Sequence, residues 1–300
     1  MFDFRYHVVS LAAVFFALII GILVGVALAS HGLGDSERDR LQADLQSARN
    51  RGDDLQAQVD ALKEVNASDS AFVDKTYKLL MDRRLRGQRI AVLYIGSVDR
   101  DVQSAITLAL DDADGAQLRL RVLGVPLNEE ALSGALDGRP FLEGYAGPEQ
   151  LDDLGRALGQ EFAAGTDTPL WNALESLIVE RKGGPLRRAA DGVIVVRTAP
   201  AQQGSTALFL KGLYKGLRDV GVPAVGVEVR DGDGTAVEAF KKADLSTVDD
   251  IDTPVGRLAL AVLLGDPAVT GNYGSKKPPD GPSDDGPLPT VLPLPTATGG

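Results

Sequence analysis

The spacing of hydrophobic residues along this chain changes twice, and each pattern predicts a different kind of element. Residues 8–29 carry no charged side chain and are almost entirely apolar. A helix rises about 1.5 Å per residue, so roughly 22 residues span about 33 Å, which matches the ~30 Å hydrocarbon layer of a bilayer. The length therefore predicts a transmembrane anchor within a first segment, residues 1–34.

A cleaved signal sequence is the alternative for this run. Signal peptides have apolar regions of about 7 to 15 residues behind a basic start, whereas this run is longer and the charges of Asp3 and Arg5 cancel before it. Ala27, Leu28 and Ala29 do resemble a cleavage site. If the run is retained, Arg5 and the amino terminus favour a cytoplasmic start, and the protein is a single-pass cell-membrane protein with its bulk extracytoplasmic. If the run is cleaved, outer-envelope placement becomes the alternative.

A second spacing covers residues 35–87, which are rich in charge, Gln, Ala and Leu. Apolar residues recur there at alternating steps of four and three, which places them on one seam of a long helix. Gly52 occupies one seam position and weakens the pattern, because glycine costs about 1 kcal/mol relative to alanine in a helix. The seam residues are Leu41, Leu45, Ala48, Leu55, Val59 and Leu62.

This seam predicts a coiled-coil helix that pairs with a second copy of the chain, as a homo-oligomer, or with a coiled-coil protein partner. An amphipathic helix lying on its own domain is the alternative. Asp35 or Ser36 is expected to cap the start of the helix, and Gly87 to end it. The apolar pattern extends towards that end through Phe72, Val73, Tyr77 and Leu80.

Beyond residue 87 the pattern becomes short, continuous apolar runs that alternate with amphipathic segments. Such alternation predicts an α/β domain over residues 88–273, with a mostly parallel sheet covered by helices and a Rossmann-like architecture. Strands are expected at 90–96, 118–126, 191–200 and 222–230. Helices are expected at 99–110, 148–163, 169–181, 205–220, 236–244 and 253–265, the last being a core helix too short to span a bilayer. The Pro- and Gly-rich residues 274–300 predict a disordered tail.

Composition removes several classes of function. The formal net charge of −11 argues against a nucleic-acid partner, because phosphate neutralisation needs clustered Lys and Arg. The chain has no cysteine, and its two histidines, His7 and His31, flank the apolar run, so the α/β domain can supply neither a thiolate nor a Ser-His-Asp triad. We therefore expect no catalytic residues, no cofactor and no metal site, and we do not expect an enzyme.

Three local motifs have structural explanations. The segment QQGST after the third strand could hold a phosphate at a helix start, but no glycine-rich fingerprint accompanies it, so Ser205 or Thr206 is expected to cap its own helix. DADG at 112–115 and DGDG at 231–234 echo part of a calcium loop without its remaining ligands, which predicts turns. The acidic stretch VDDIDTP at 248–254 is expected to be a solvated surface that caps the last helix.

Several stretches together resemble one actinobacterial family. They are FDFRYHVVSLAAVFFALIIGILVG at the start, the heptad segment, GQRIAVLYIG, and the late STVDDIDTPVGRLALAVLLG followed by NYG. On these residues the chain resembles the mycobacterial copper transport protein B family, MctB, whose relatives include the cell-division protein SteB. The similarity covers nearly everything from Met1 to about Tyr273.

This resemblance implies two different roles. The family label implies copper homeostasis or efflux in the envelope, in some accounts through an outer-membrane channel. The SteB-like relatives imply an anchor, an external coiled coil and an α/β domain that recognises envelope proteins, with a SteA-like membrane protein or a peptidoglycan hydrolase as partner. Cu(I) prefers sulfur ligands, with imidazole second, and beyond the apolar run only His31 and Met81 offer these. The residues therefore favour a non-catalytic interaction protein, with copper handling and a small-molecule sensor as alternatives.

Overall fold

A computed structural model describes residues 4–31, 34–230 and 235–274, with side chains described for 8–28 and from residue 37 onwards within these ranges. The chain divides into two units, residues 1–70 and residues 71–300. The predicted turn at 231–234 and the predicted disordered tail from residue 275 lie outside the described residues.

Two long helices occupy the first part of the chain. Helix α1 (Phe4–His31) contains the segment Val8–Leu28, whose mean hydropathy of 3.0 and 21-residue length suffice to cross a membrane. Helix α2 (Gly34–Met81) is continuous over 48 residues. The apolar helix and the long polar helix expected from the spacing are therefore both present.

Seven strands of the described chain form one sheet in the order β3-β2-β1-β4-β5-β6-β7. Every neighbouring pair is parallel except β2 and β3, which are antiparallel. This confirms the predicted α/β class with a mostly parallel sheet. The strands are β1 (Arg89–Ile95), β2 (Ala116–Leu123), β3 (Val179–Gly183), β4 (Gly192–Arg197), β5 (Ala224–Val227), β6 (Ser246–Val248) and β7 (Asn272–Tyr273).

Helices cover both faces of this sheet. They are α3 (Arg100–Asp112), α4 (Glu129–Leu136), α5 (Leu151–Ala164), α6 (Pro169–Ile178), α7 (Gly204–Asp219), α8 (Val237–Lys241) and α9 (Pro254–Gly265), with short 3-10 helices at Glu143–Tyr145 and Pro148–Gln150. Because successive strand residues point to opposite faces, β1 contributes Leu93 to the core beneath α4 to α8 and Val92 to the core beneath α3 and α9. Continuous apolar strands result from burial on both faces.

Two helices begin where the sequence predicted, with their caps at positions 99 and 253. The Asp99 carboxylate accepts hydrogen bonds from the amides of Asp101 and Val102, so Asp99 caps α3. The Thr253 hydroxyl accepts from the Gly256 amide and caps α9, whose residues are largely buried. The interpretation of α9 as a core helix is therefore confirmed.

The sequence missed the antiparallel edge of the sheet. The helix predicted over 169–181 ends at Ile178, and the chain then turns into β3. Glu180, Arg181 and Lys182 have no apolar pattern that would distinguish an edge strand from a helix end. Pairing with β2 determines their conformation, because tertiary contacts override weak local preference. The short strands β6 and β7 were missed for the same reason, and the short helix α4 was not predicted either.

Candidate functional site

The predicted seam lies on a single face of α2 and is exposed along its length. Leu45 is 53% exposed, Leu55 62% and Leu62 68%. Leu41, Ala48 and Val59 are exposed as well. A helix that presents large aliphatic side chains every three or four residues leaves an apolar stripe in contact with water, and such stripes mark surfaces that bind other proteins.

The apolar stripe continues beyond Leu62 but does not include Tyr77, which the sequence pattern had placed on it. Val65 and Phe72 are 58% and 69% exposed and extend it towards the carboxyl end. Tyr77 leaves the stripe: its hydroxyl donates to the Asp112 carboxylate at 2.7 Å, and the Arg257 guanidinium lies 5.5 Å from its ring centroid. Burial raises the pKa of Tyr77 to about 12. The end of α2 is thus part of the α/β unit.

The sulfur donor that the sequence offered for copper is inside that unit. Met81 is fully buried in the core that also contains Leu85 and Leu110. His31, the other candidate donor, is among the residues whose side chains are not described. Within the described ranges, no group of three His, Asp or Glu side chains could hold a metal ion together.

A crevice of about 560 Å³ lies at the carboxyl ends of β4 and β5. The sheet order runs outwards in both directions from β1 and β4, and ligands of open α/β sheets bind at such switch points. Arg197 on its wall donates to the Thr235 carbonyl at 2.9 Å, while its Nε atom is buried with no hydrogen-bond partner among the described residues. The Glu228 carboxylate accepts from the Thr235 hydroxyl at 3.0 Å and from the Ala236 amide.

Tyr214, a neighbour of Arg197, is buried in the interior of the α/β unit. Burial raises the pKa of Tyr214 to about 12, and the nearby positive charge of Arg197 opposes that rise.

Helix α7, which carries Tyr214, begins at Gly204 without a side-chain cap from Gln203. The Thr206 hydroxyl instead accepts from the Leu127 amide at 3.1 Å, so the prediction that it caps its own helix is wrong. Long-range pairing of this kind has no local signature.

The first two carboxylates of the acidic stretch before α9 are buried rather than solvated, which corrects the prediction for them, whereas Asp252 is exposed. Asp249 and Asp250 are only 6% and 5% exposed. Burial and then the neighbouring Asp249 charge raise the pKa of Asp250. A Cβ atom at Gly256 would lie 2.1 Å from the Asp250 carbonyl oxygen, so the stretch and the helix start are in direct contact. The residues of VDDIDTPVG therefore form a tight structural corner.

Comparison with known proteins identifies relatives along nearly the whole chain. Residues 1–281 match the family described as copper transport outer membrane protein, MctB. The copper transporter MctB of Mycobacterium bovis is 28% identical over 309 aligned residues, which cover 91% of this chain and 95% of that protein. The copper transporter MctB of Mycobacterium tuberculosis H37Rv matches with the same identity and coverage.

Proposed function

This chain belongs to the MctB family, and on that premise we propose that it is a membrane-anchored, non-catalytic protein of the cell envelope that binds another helix through the seam of α2. Val8–Leu28 supplies the anchor, because about 21 helical residues span roughly 32 Å of lipid. We place the bulk of the chain outside the cytoplasm, since Arg5 precedes the anchor and positive residues stay on the cytoplasmic side.

The exposure of the seam is the observation that carries this proposal. Six apolar or small side chains, from Leu41 to Leu62, lie on one face of an uninterrupted helix and are open to solvent. Burying apolar surface contributes about 25 cal/mol per Å², so a second helix that covered this face would stabilise both. The seam matches the a and d positions of a heptad repeat, which accept the side chains of a facing helix between them.

The occupant we propose is a coiled-coil helix, either from a second copy of the chain or from another envelope protein. By resemblance to the SteB-like relatives, a SteA-like membrane protein or the coiled coil of a peptidoglycan hydrolase fits this description. Gly52 and Asn66 lie on the seam as well. A polar or missing side chain at such positions lowers the stability of pairing and restricts its register, which suits a selective partner.

Three charged substitutions on the seam test the proposal. We expect Leu45→Glu, Leu55→Glu and Leu62→Glu together to abolish association, because each would bury a carboxylate between helices. Ala43→Glu, Asn50→Glu and Ala57→Glu form the matched control, since these positions lie on the opposite face of the same turns. Association is measured by sedimentation of the full chain in neutral detergent and by photocrosslinking from position 59 in cells.

The size of the crosslinked adduct distinguishes the two occupants. An adduct of twice the chain mass identifies a second copy, and an adduct of another mass, identified by peptide sequencing, identifies a partner. Loss of either adduct in the seam variant but not in the control supports the proposal. If the seam variant associates and crosslinks as the unaltered chain does, the seam is not the binding surface.

Copper handling is the alternative that the family description supports. Met81 is fully buried, and no cluster of His, Asp or Glu side chains among the described residues could complete a site, so the copper site we consider is one assembled between subunits. Titration calorimetry of the full chain with Cu(I) and with Cu(II) tests this directly. Stoichiometric binding would favour the alternative over a purely structural role.

A small-molecule sensor is a third possibility, favoured by the crevice at the ends of β4 and β5. Its volume of about 560 Å³ and its position at the ends of the central strands suit a small ligand, with Arg197 as the cationic group of its lining. A thermal-shift screen of small carboxylates, repeated on Arg197→Gln, tests it. Stabilisation of the unaltered chain alone would support the sensor.

A further inference from the structure

A strongly positive patch lies at the β3 edge of the sheet and the loop after it. Residues 179–188 carry four cationic side chains and one carboxylate, Glu180, in a chain whose formal net charge is −11. The four cationic residues are Arg181, Lys182, Arg187 and Arg188, all exposed. Arg181 and Lys182 lie on the edge strand, where cationic side chains prevent pairing with other sheets. Arg187 and Arg188 follow the end of the strand, so that explanation does not apply to them.

Two buried arginines on β2 hold this loop in place. Arg121, 3% exposed, donates to the Gly183 carbonyl at 2.9 Å and pairs with Glu175 at 2.7 Å. Arg119, 1% exposed, donates to the carbonyls of Leu186 and Arg188.

Arg119 has only carbonyls as hydrogen-bond partners among the described residues, and its guanidinium lies 5.5 Å from the Phe162 ring centroid. Burial, together with the charges of Arg121 and Arg89, lowers its pKa to about 10, which leaves Arg119 charged at neutral pH. Its positive charge is therefore balanced by no carboxylate in this region. The loop therefore lies over a buried positive charge, that of Arg119.

The inward direction of the carbonyls turns the following amides outward. The C=O and the next N–H of a trans peptide point in opposite directions, and the cis peptide of the described chain, Val125–Pro126, is elsewhere. The carbonyls of Gly183 and Leu186 point at the buried guanidiniums. The N–H groups of Gly184 and Arg187 therefore point away from them, on the side where both residues are exposed.

Gly184 is required for this path. Its φ is +73°, and a Cβ atom there would lie 2.2 Å from the Leu118 carbonyl oxygen. Only glycine accommodates both the left-handed backbone and that close approach. Gly184 therefore allows the bend that exposes the outward amides, and it places no side chain over them.

These groups surround a surface hollow of about 520 Å³. We propose that the hollow binds the phosphate group of an anionic ligand, with Lys182 and Arg187 as charged donors and the outward amides of Gly184 and Arg187 beside them. A phosphate monoester has three non-bridging acceptor oxygens and a phosphodiester has two, so either suits several converging donors. The residues that line the hollow include no carboxylate.

The nearest carboxylate does not cancel the positive charge of the hollow. Glu175 accepts from Lys182 at 2.5 Å and from Arg121 at 2.7 Å, so one carboxylate serves two cations. These contacts hold the pKa of Glu175 below its ordinary value although burial opposes the shift. Arg187 adds a third cation, and no ion pair joins it to a carboxylate of the described residues within 4 Å. A bound dianion would balance the remaining charge.

The test compares two variants of the full chain in neutral detergent. Lys182→Gln with Arg187→Gln removes the two charged donors, while Lys211→Gln with Arg218→Gln removes the same charge from the exposed side of α7. Binding of labelled inorganic phosphate is measured by equilibrium dialysis at constant ionic strength. We expect affinity to fall at least about tenfold in the first variant and by less than about twofold in the second.

A second readout separates the two sources of phosphate. The single tryptophan, Trp171, precedes the lining residue Asn172 and reports unfolding of the α/β unit. We expect ligand binding to raise its unfolding midpoint, because a ligand stabilises the state that binds it. Glycerol phosphate tests a soluble ester, and micelles containing phosphatidylglycerol, compared with phosphatidylcholine, test a lipid headgroup.

A response to either probe that disappears in the first variant and persists in the control supports the site and identifies its source. The proposal is overturned if the unaltered chain binds none of inorganic phosphate, glycerol phosphate and phosphatidylglycerol. It is also overturned if both variants lose affinity equally, since the binding would then reflect general charge alone.

Discussion

Gly212 on α7 lies directly against the main chain of Asp152 on α5: a Cβ atom at Gly212 would be 1.9 Å from the Asp152 carbonyl oxygen. Gly216 makes the same contact with Arg156, at 2.0 Å, one turn further along. On the facing helix, Gly155 and Gly159 approach the backbone of α7 equally closely. The two helices therefore pack backbone against backbone over two turns, which only residues without a side chain permit.

We expect Gly212→Ala to lower the free energy of unfolding by about 1–3 kcal/mol, because the added methyl group must push the helices apart. Urea unfolding of the full chain, followed by Trp171 fluorescence, measures the change. Gly134→Ala in α4 is the control, since no atom lies within 4 Å of its Cβ position. That variant should gain up to about 1 kcal/mol from helix propensity. Equal effects of the two substitutions would contradict the packing argument.

The ion pair between Arg89 on β1 and Asp191, the residue before β4, should make stability depend on pH. The Arg89 guanidinium donates to both oxygens of Asp191, at 2.8 and 3.0 Å, and these bonds hold the pKa of Asp191 below its ordinary value. A carboxylate with a lowered pKa stabilises the fold above its unfolded pKa of about 3.9, and that contribution is lost as pH falls through the folded value.

Asp191→Asn should therefore be less stable than the unaltered chain at pH 7, with the difference shrinking at acidic pH. Both side chains are about one-third exposed, at 35% and 37%, so the effect is expected to be small. Urea midpoints from pH 3 to pH 7 measure it. A difference that stayed constant over this range would show that Asp191 acts through packing rather than through its charge.

Gly52 offers a gain-of-function test of the seam. Nothing lies within 4 Å of its Cβ position, so Gly52→Ala should stabilise the helix by about 1 kcal/mol and add a side chain to the seam. We expect tighter association in sedimentation of the full chain. Asp53→Ala, one residue off the seam, should raise helicity without strengthening association. Equal association of the two variants would place Gly52 outside the contact.

Phe141 is held in an unfavourable backbone conformation without compensating burial. Its φ is +73° and its side chain is 98% exposed. Phe141→Gly should raise the free energy of unfolding by up to about 1 kcal/mol, because glycine adopts this conformation without steric cost. Phe141→Ala retains the Cβ atom and should give no gain. Thermal unfolding measures both, and an equal gain in the alanine variant would assign the effect to loss of the exposed ring.

A part of the fold could be predicted where a pattern of residues repeats within one element, and could not where it depends on contacts between distant residues. The strand cores around Val92 and Ile194 are continuous apolar runs, so the sequence located them within a few residues. β3 was missed because Glu180, Arg181 and Lys182 carry no such pattern. Among the site residues, the seam was predictable because helical periodicity repeats within a single element. The positive hollow was not, because Arg121 and Lys182 meet only through the pairing of two strands.

The sequence by itself determined the apolar run that ends at Leu28, the helix that carries Leu45 and Leu62, and the alternation of strands and helices after residue 88. These depend on local composition and on periods of 3.5, 3.6 and 2 residues, which neighbouring positions encode. Only the tertiary structure decided that Asp250 is buried, that Gly212 touches Asp152, and that two buried arginines support a basic loop. Those features join residues far apart in the chain, and no local pattern specifies which distant side chains become neighbours.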